Sequence, residues 1–281
     1  MFDRLLVGVD GSACGRRAAR VAMRAAKAWD ASVAVIHVAP PDEESDRGTE
    51  ILAEVRELGD AVGMGVETDL ERGNPPTVLT DRAHEDDADL VAVGRQGETG
   101  LTERLLGSTA ERVVRRSGTP TLVVPNREDV TERVPPSAVL APTDGSETGE
   151  RAAPAAATAA AESDAPLHVV SAVDVQSEAG VFDAGGVSRS YVERLEAAAE
   201  EKTASYADEA VAAAPDVELQ EAVVRGPPHE AIEDHTEAVG ADLVVMASRG
   251  EATLAGHVLG SVADRVLRVV DVPVLVVPAA D

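Results

Sequence analysis

The chain repeats itself, and the repeat limits what it can fold into. Val7-Gly8-Val9-Asp10-Gly11-Ser12 is answered by Leu140-Ala141-Pro142-Thr143-Asp144-Gly145-Ser146, 134 positions later. Further along the offset is 153. Arg72-Gly73-Asn74-Pro75-Pro76 pairs with Arg225-Gly226-Pro227-Pro228. Ala88-Asp89-Leu90-Val91-Ala92-Val93-Gly94-Arg95-Gln96-Gly97 pairs with Ala241-Asp242-Leu243-Val244-Val245-Met246-Ala247-Ser248-Arg249-Gly250. Leu106-Gly107-Ser108 pairs with Leu259-Gly260-Ser261, and the stretches 119–125 and 272–278 end the copies alike. The change of offset puts 19 extra residues in the second copy, between about 173 and 216, where 177–190 is rich in Gly, Ser and Ala. The 281 residues thus divide into units 1–126 and 138–281, each of ordinary domain size. A polar, proline-containing linker, 127–137, joins them.

Each unit alternates short apolar runs with longer amphipathic ones. In the first, 4–9, 33–38, 66–71, 90–93 and 121–124 read as strands. Helices are predicted over 13–29, 45–62, 76–86 and 102–116, with Ser12 as the cap of the first and Pro76 near the start of the third. The second unit follows the same order, with a longer second helix over 190–213. Alternating β and α elements predict an α/β fold of two tandem, doubly wound, Rossmann-like units, each a five-stranded parallel sheet flanked by helices. Ligands of such folds sit beyond the carboxyl ends of the strands. Asp10, Gly73 and the loop from Gly94 to Gly97 each follow a strand, so they share one edge.

Charge narrows the partners. There are 51 acids against 25 bases, and only Lys27 and Lys202 are lysines. The first unit carries 22 acids and 15 bases, the second 26 and 8. Such a surface disfavours nucleic acid and anionic lipid, which need clustered cations. Concentrated salt screens the self-repulsion, so the composition predicts a halophile's protein that is more stable in about 2 M KCl than in about 0.1 M. No apolar run is long enough to span a bilayer. The opening residues run straight into a strand pattern rather than a signal peptide, and the single Cys14 leaves no intrachain disulfide. A cytoplasmic location is expected.

The richest local signal is Gly94-x2-Gly97-x9-Gly107-Ser108, between a buried strand and a helix. Glycines permit close backbone approach and positive φ, and a helix start offers free N–H donors to an anion. Ser108 and Thr109 add hydroxyls. Taken singly, each glycine also reads as a plain turn residue. Asp10 reads either as an acceptor for a ribose hydroxyl or adenine amine, or as a turn residue, and Gly73 has the same ambiguity. There is no P-loop, no dinucleotide fingerprint after the first strand, no Gly-x-Ser-x-Gly elbow and no His-Glu-x-x-His. The six histidines are scattered; they, Cys14 and the run Glu85-Asp86-Asp87 read as structural or solvated residues.

These residues resemble the universal stress protein family in its tandem form. The resemblance covers 3–125 and 138–278 and rests on the Val-Asp-Gly-Ser opening, the Gly-x-Pro turn, and Ala-Asp-Leu-Val before the glycine signature. It implies the fold of the adenine nucleotide alpha hydrolases and binding of ATP, ADP or AMP, with Mg2+ as a companion. It implies that Asp10 and the backbone near Val38 meet adenine or ribose. Gly94, Gly97, Gly107, Ser108 and Thr109 would hold ribose and phosphates, flanked by Arg95 and Gln96. The second unit matches at Asp144, Ala172, Gly226, Gly250, Gly260, Ser261 and Val262. It departs at Ala247, in the place of the first signature glycine, and Val262 lacks the hydroxyl of Thr109. If that first position needs positive φ, Ala247 costs about 1 kcal/mol and crowds the ligand. Two unequal sites are therefore expected, the first stronger. The family also pairs the final strands of two units, so an intramolecular pseudo-dimer is expected, with room for a homodimer.

No strong base or nucleophile stands beside the expected phosphates, so the leading expectation is a nucleotide-binding stress regulator acting on an unidentified protein. A weak ATPase or self-phosphorylating protein, with Ser108 or Ser261 as acceptor, is one alternative. A nucleotide-independent scaffold is another.

Overall fold

The structure, a computed structural model, describes residues 2–40, 45–97, 105–175, 188–250 and 259–279. In the first unit, strands β1 (Arg4–Val9), β2 (Ser32–Ala39), β3 (Glu67–Arg72), β4 (Leu90–Gly94) and β5 (Thr121–Val124) alternate with helices α1 (Ala13–Trp29), α2 (Ser45–Val62), α3 (Pro75–Glu85) and α4 (Ser108–Arg116). The second unit has β6 (Val139–Pro142), β7 (Leu167–Val173), β8 (Leu219–Arg225), β9 (Leu243–Ala247) and β10 (Val274–Val277). Its helices are α5 (Glu147–Glu150), α6 (Ala153–Glu162), α7 (Arg189–Ala213), α8 (Pro228–Val239) and α9 (Ser261–Val269).

All ten strands form one sheet in the order β3-β2-β1-β4-β5-β10-β9-β6-β7-β8. Pairing within each unit is parallel. At the seam β5 and β10 run antiparallel, with Val123 opposite Val274 and Leu122 opposite Leu275. Two apolar edge strands thereby cover each other inside one chain. The antiparallel seam also reverses the strand direction of one unit relative to the other. The carboxyl ends of the two strand sets therefore lie at opposite edges of the shared sheet.

The sheet is buried on both faces. Val7, Val35, Ala92, Leu122, Leu167, Val245 and Leu275 face α1, α2, α6 and α7. Leu6, Ile36, Val91, Val123, Leu140, Val244 and Val274 face α3, α4, α8 and α9. Both apolar layers run across the seam, so the two units share their core. Each such Leu or Val stabilises the fold by about 1.5–3 kcal/mol. The linker joins this core too: a 3-10 turn over Asp129–Glu132 buries Val130 among α1 and its neighbours.

Two details depart from the sequence reading, and a third bears it out. The start expected at residue 102 lies outside the described residues, and 105–107 are not helical; α4 begins at Ser108. There the N–H of Gly107 is held by the carbonyl of Arg95 at 2.7 Å, a distant partner that stops the helix from starting earlier. The first helix of the second unit is split into α5 and α6, and Pro154 lies in the first turn of α6. Of the extra residues, seven lengthen the second helix, 25 residues in α7 against 18 in α2. Most of the Gly- and Ser-rich stretch, 176–187, lies outside the described residues.

Candidate functional site

At the carboxyl ends of the strands the two units repeat bond for bond. Asp10 Oδ1 accepts from the N–H of Ser12 at 3.0 Å, and Asp144 Oδ1 from that of Ser146 at 3.0 Å. Ser12 Oγ caps α1 by accepting from Gly15 N–H at 2.9 Å; Ser146 Oγ accepts from Gly149 N–H at 2.9 Å. Gly107 N–H donates to Arg95 O at 2.7 Å, and Gly260 N–H to Ser248 O at 2.8 Å. Gly73 N–H donates to Ala39 O at 3.1 Å, and Gly226 N–H to Val173 O at 3.0 Å. The turn role foreseen for Asp10 is thus realised, and its carboxylate is fixed by it.

The glycines earn their places through close approach, and this corrects the expectation of positive φ. Positive φ occurs at Gly73 and Gly226 but not at Gly94, Gly97, Gly107, Gly250 or Gly260. A methyl group on Gly97 would stand 2.6 Å from Asp10 Oδ2, and one on Gly15 would stand 2.8 Å from Oδ1. The carboxylate is wedged between two glycines. Gly149 and Gly250 enclose Asp144 in the same way, and a methyl on Gly250 would overlap its Oδ2. At Gly94 a methyl would meet the Cys14 carbonyl carbon at 2.9 Å and the Gly15 nitrogen at 3.0 Å. Ala247, its counterpart, therefore carries no penalty from φ; the difference between the units there is one of space.

Helices α4 and α9 begin at these loops with Gly107 and Gly260 as caps and no side-chain hydrogen bond to their first turns. α1, α5 and α7 are all capped by serine hydroxyls. An uncapped start leaves backbone N–H groups directed at the loop, where an anion is favoured by about 0.3–1 kcal/mol or more. Ser108 and Thr109, and Ser261 and Val262, open these first turns.

In the second unit the predicted residues line one cavity of about 370 Å³. Asp144, Ala172, Gly250, Gly260, Ser261 and Val262 all border it. So do Val170, Ile232 and Met246, which supply an apolar wall, and Lys202 and Arg249, which sequence reasoning missed. Gly226 makes its turn outside the lining, and Pro228 borders the cavity instead. For Lys202 a signal was available, since it is one of two lysines in the chain. In the first unit Asp10, Gly97 and Gly107 gather through the contacts above, and Val38 follows His37, the register partner of Val9. The rest of that loop, 98–104, lies outside the described residues.

Arg95 departs from its expected role. Its backbone adjoins the site, but its side chain is 4% exposed and crosses the seam. It donates to Val270 O at 2.9 Å and Arg268 O at 3.4 Å, and lies 3.7 Å from Asp271. It therefore ties the first unit's loop to the carboxyl end of α9. Gln96 beside it is buried. Cys14 is buried below the same loop and donates to Val124 O at 3.3 Å. Burial pushes its thiol pKa up, opposed by the N–H groups of Gln96 and Arg95, so it is a packing residue rather than a reactive thiolate. His37 and His84 bond the carbonyls of Val9 and Ser117. No described helix is long and apolar enough to cross a membrane.

The model of the universal stress protein family matches residues 1–125 and 137–278. A universal stress protein of Mycobacterium tuberculosis is 30% identical over 295 residues, covering 97% of this chain and 96% of its own. The crystal structure of a universal stress protein from Archaeoglobus fulgidus shares the fold, with a TM-score of 0.73 at 22% identity, over 99% of this chain and 98% of that one. A universal stress protein solved in complex with cAMP is 30% identical and covers 45% of this chain and 99% of its own, with a TM-score of 0.39.

Proposed function

This chain belongs to the universal stress protein family, and from that premise we propose that each unit binds an adenine nucleotide and that occupancy regulates a partner protein. The observation that carries the reading is the cavity of the second unit, bordered by six of the seven residues that the family resemblance matches there, Gly226 lying outside the lining. Its parts suit a nucleotide. Val170, Ile232 and Met246 offer an apolar wall to a base. Asp144 offers a fixed acceptor. The uncapped start of α9, with Ser261, offers donors to phosphate. The bond-for-bond repetition extends the proposal to Asp10, Val38, Gly94, Gln96, Gly97, Gly107, Ser108 and Thr109 in the first unit. Mg2+ would arrive with the phosphates. Thr109 gives the first unit a hydroxyl that Val262 denies the second, so the first binds adenosine and AMP more tightly.

Calorimetric titration with ATP and Mg2+ in about 2 M KCl tests this. Two sites per chain are expected, reduced to one by Gly97→Val, whose side chain would collide with Asp10. Absence of binding at millimolar ATP would overturn it in favour of a nucleotide-independent scaffold.

A further inference from the structure

We infer that the site of the second unit selects its ligand by phosphate charge, and that Lys202 reads that charge. The inference rests on the nucleotide reading above and adds a ligand class: adenosine carrying two or more phosphates in a chain. Lys202 projects from α7 and borders the same cavity as Asp144, Gly260 and Ser261. Its stem lies against Gly145, and a methyl group there would overlap its Cγ. Gly145 also has a φ of 72°, so the turn after β6 both requires glycine and leaves the seat for the lysine stem. The stem of a long, flexible side chain is thereby held beside the cavity before any ligand arrives, which lowers the entropy lost on binding.

Its surroundings make the placement unusual. The second unit has 26 acids and 8 bases, and three of its seven arginines pair with carboxylates in the described residues: Arg225 bonds Glu196, Arg268 bonds Asp264 and Arg189 bonds Glu193. Among the described residues Lys202 has no ion pair and no hydrogen bond. Among the described residues, the charged ones bordering the cavity are Asp144, Lys202 and Arg249, one acid against two bases. Among these described lining residues the charge is thus opposite in sign to that of the unit around them. Asp144 Oδ1 is already engaged by the N–H and hydroxyl of Ser146. A lysine with no ion pair among the described residues, bordering a cavity with an uncapped helix start, is complementary to an anion. Arg249 stands where the first unit has the neutral Gln96, and it adds to the same bias. A compact ammonium acts as a point charge on phosphate, so its contribution grows with ligand charge and weakens with salt.

The test isolates the second unit with the full chain carrying Gly97→Val. Lys202→Gln and Lys202→Arg are made in that background, and ATP, AMP and adenosine are titrated at two salt concentrations. Expected are at least a tenfold loss of ATP affinity in Lys202→Gln, less than a threefold change for adenosine, and retention of ATP binding in Lys202→Arg. The ATP loss is also expected to shrink as salt rises. Equal losses for ATP and adenosine would mean that the lysine only packs on Gly145 and would overturn the inference, as would no loss for either. The nucleotide reading would survive both results. If the Gly97→Val chain binds no ATP while the unmutated chain binds one, the inference falls and the first site stands. If the unmutated chain binds no nucleotide, both readings fall.

Discussion

In the first unit the loop after β4 reads Gly94-Arg95-Gln96-Gly97; in the second, after β9, it reads Ala247-Ser248-Arg249-Gly250. The last glycine is retained because an aspartate leans on it, and the backbone bonds around it match to within about a tenth of an ångström. The three residues before it have diverged, and each has taken a different task. Gly94 packs on the backbone of α1, while Ala247 brings a methyl to that place. Arg95 crosses the seam, whereas Ser248 stays local and accepts from Ala279 N–H at 3.0 Å. Gln96 is buried, while Arg249 borders a cavity. A duplicated site thus keeps the backbone bonds that shape its loop and varies the side chains that project from it.

The largest effect expected from breaking this symmetry is at the retained glycines. Gly250→Val forces a branched side chain into the Asp144 carboxylate and should cost the second site roughly 100-fold in nucleotide affinity, as Gly97→Val does the first, each sparing the other. Calorimetry on the single variants separates the two. Equal damage to both sites would mean that the glycines act on the shared core instead.

Next is the seam. Arg95→Ala removes charge-assisted bonds to two carbonyls of the second unit and should lower unfolding free energy by about 2 kcal/mol. Ser248→Ala removes one local bond and should cost about half as much. Denaturant titration of both checks the asymmetry. A similar cost would mean that the seam is held by its strands alone.

Smaller still is the hydroxyl that separates the units. Val262→Thr gives the second site what Thr109 gives the first and should tighten ATP binding about fivefold, or roughly 1 kcal/mol. Ala247→Gly should change it little, because that position carries no φ strain. If the glycine variant gained more than the threonine, crowding would be the true difference.

The last prediction concerns acid. Burial lowers the pKa of His168 on β7, against an opposing pull from Glu218. Burial also lowers that of His235 on α8, reinforced by repulsion from His168. Both histidines are held neutral in the fold, so the unfolded chain binds their protons first. Their contribution is present in full above a pH of about 6.5 and is lost as pH falls from there through the depressed folded values. The pair His168→Gln and His235→Gln should flatten thermal stability between about pH 7 and 5. An unchanged slope would assign acid sensitivity to carboxylates.

Much of the fold was written locally. β1, α1 and β5 begin and end where the apolar runs and Ser12 put them, because a strand buried on both faces tolerates few polar residues and a serine cap marks a helix start. The start of α4 was not legible. Leu105 and Leu106 suit a helix, and only the distant carbonyl of Arg95 ends it at Gly107. The break between α5 and α6 had a local sign in Pro154, which the alanine-rich run obscured. At the sites, the glycine spacing located the loops and called for close approach, but it did not name the neighbour, an aspartate more than 80 residues away in sequence. The side-chain path of Arg95 could not be read at all: its carbonyl partners lie 173 and 175 positions later. A residue between two glycines in a binding loop invites a ligand role, and nothing nearby in sequence says otherwise.

The seam has a consequence for how such a chain is made. β5 exposes an apolar edge as soon as the first unit folds, and its cover, β10, comes about 150 residues later. During synthesis that edge is open to another nascent copy of the same unit. The surroundings of Arg95 differ between the two pairings. In a pairing of two first units, the place of Asp271 would be taken by Gly118, at the offset of 153, and the guanidinium would find no carboxylate there. The seam thus leaves an interval in synthesis during which the early half of the polypeptide has an uncovered edge and its own cover is still to be translated.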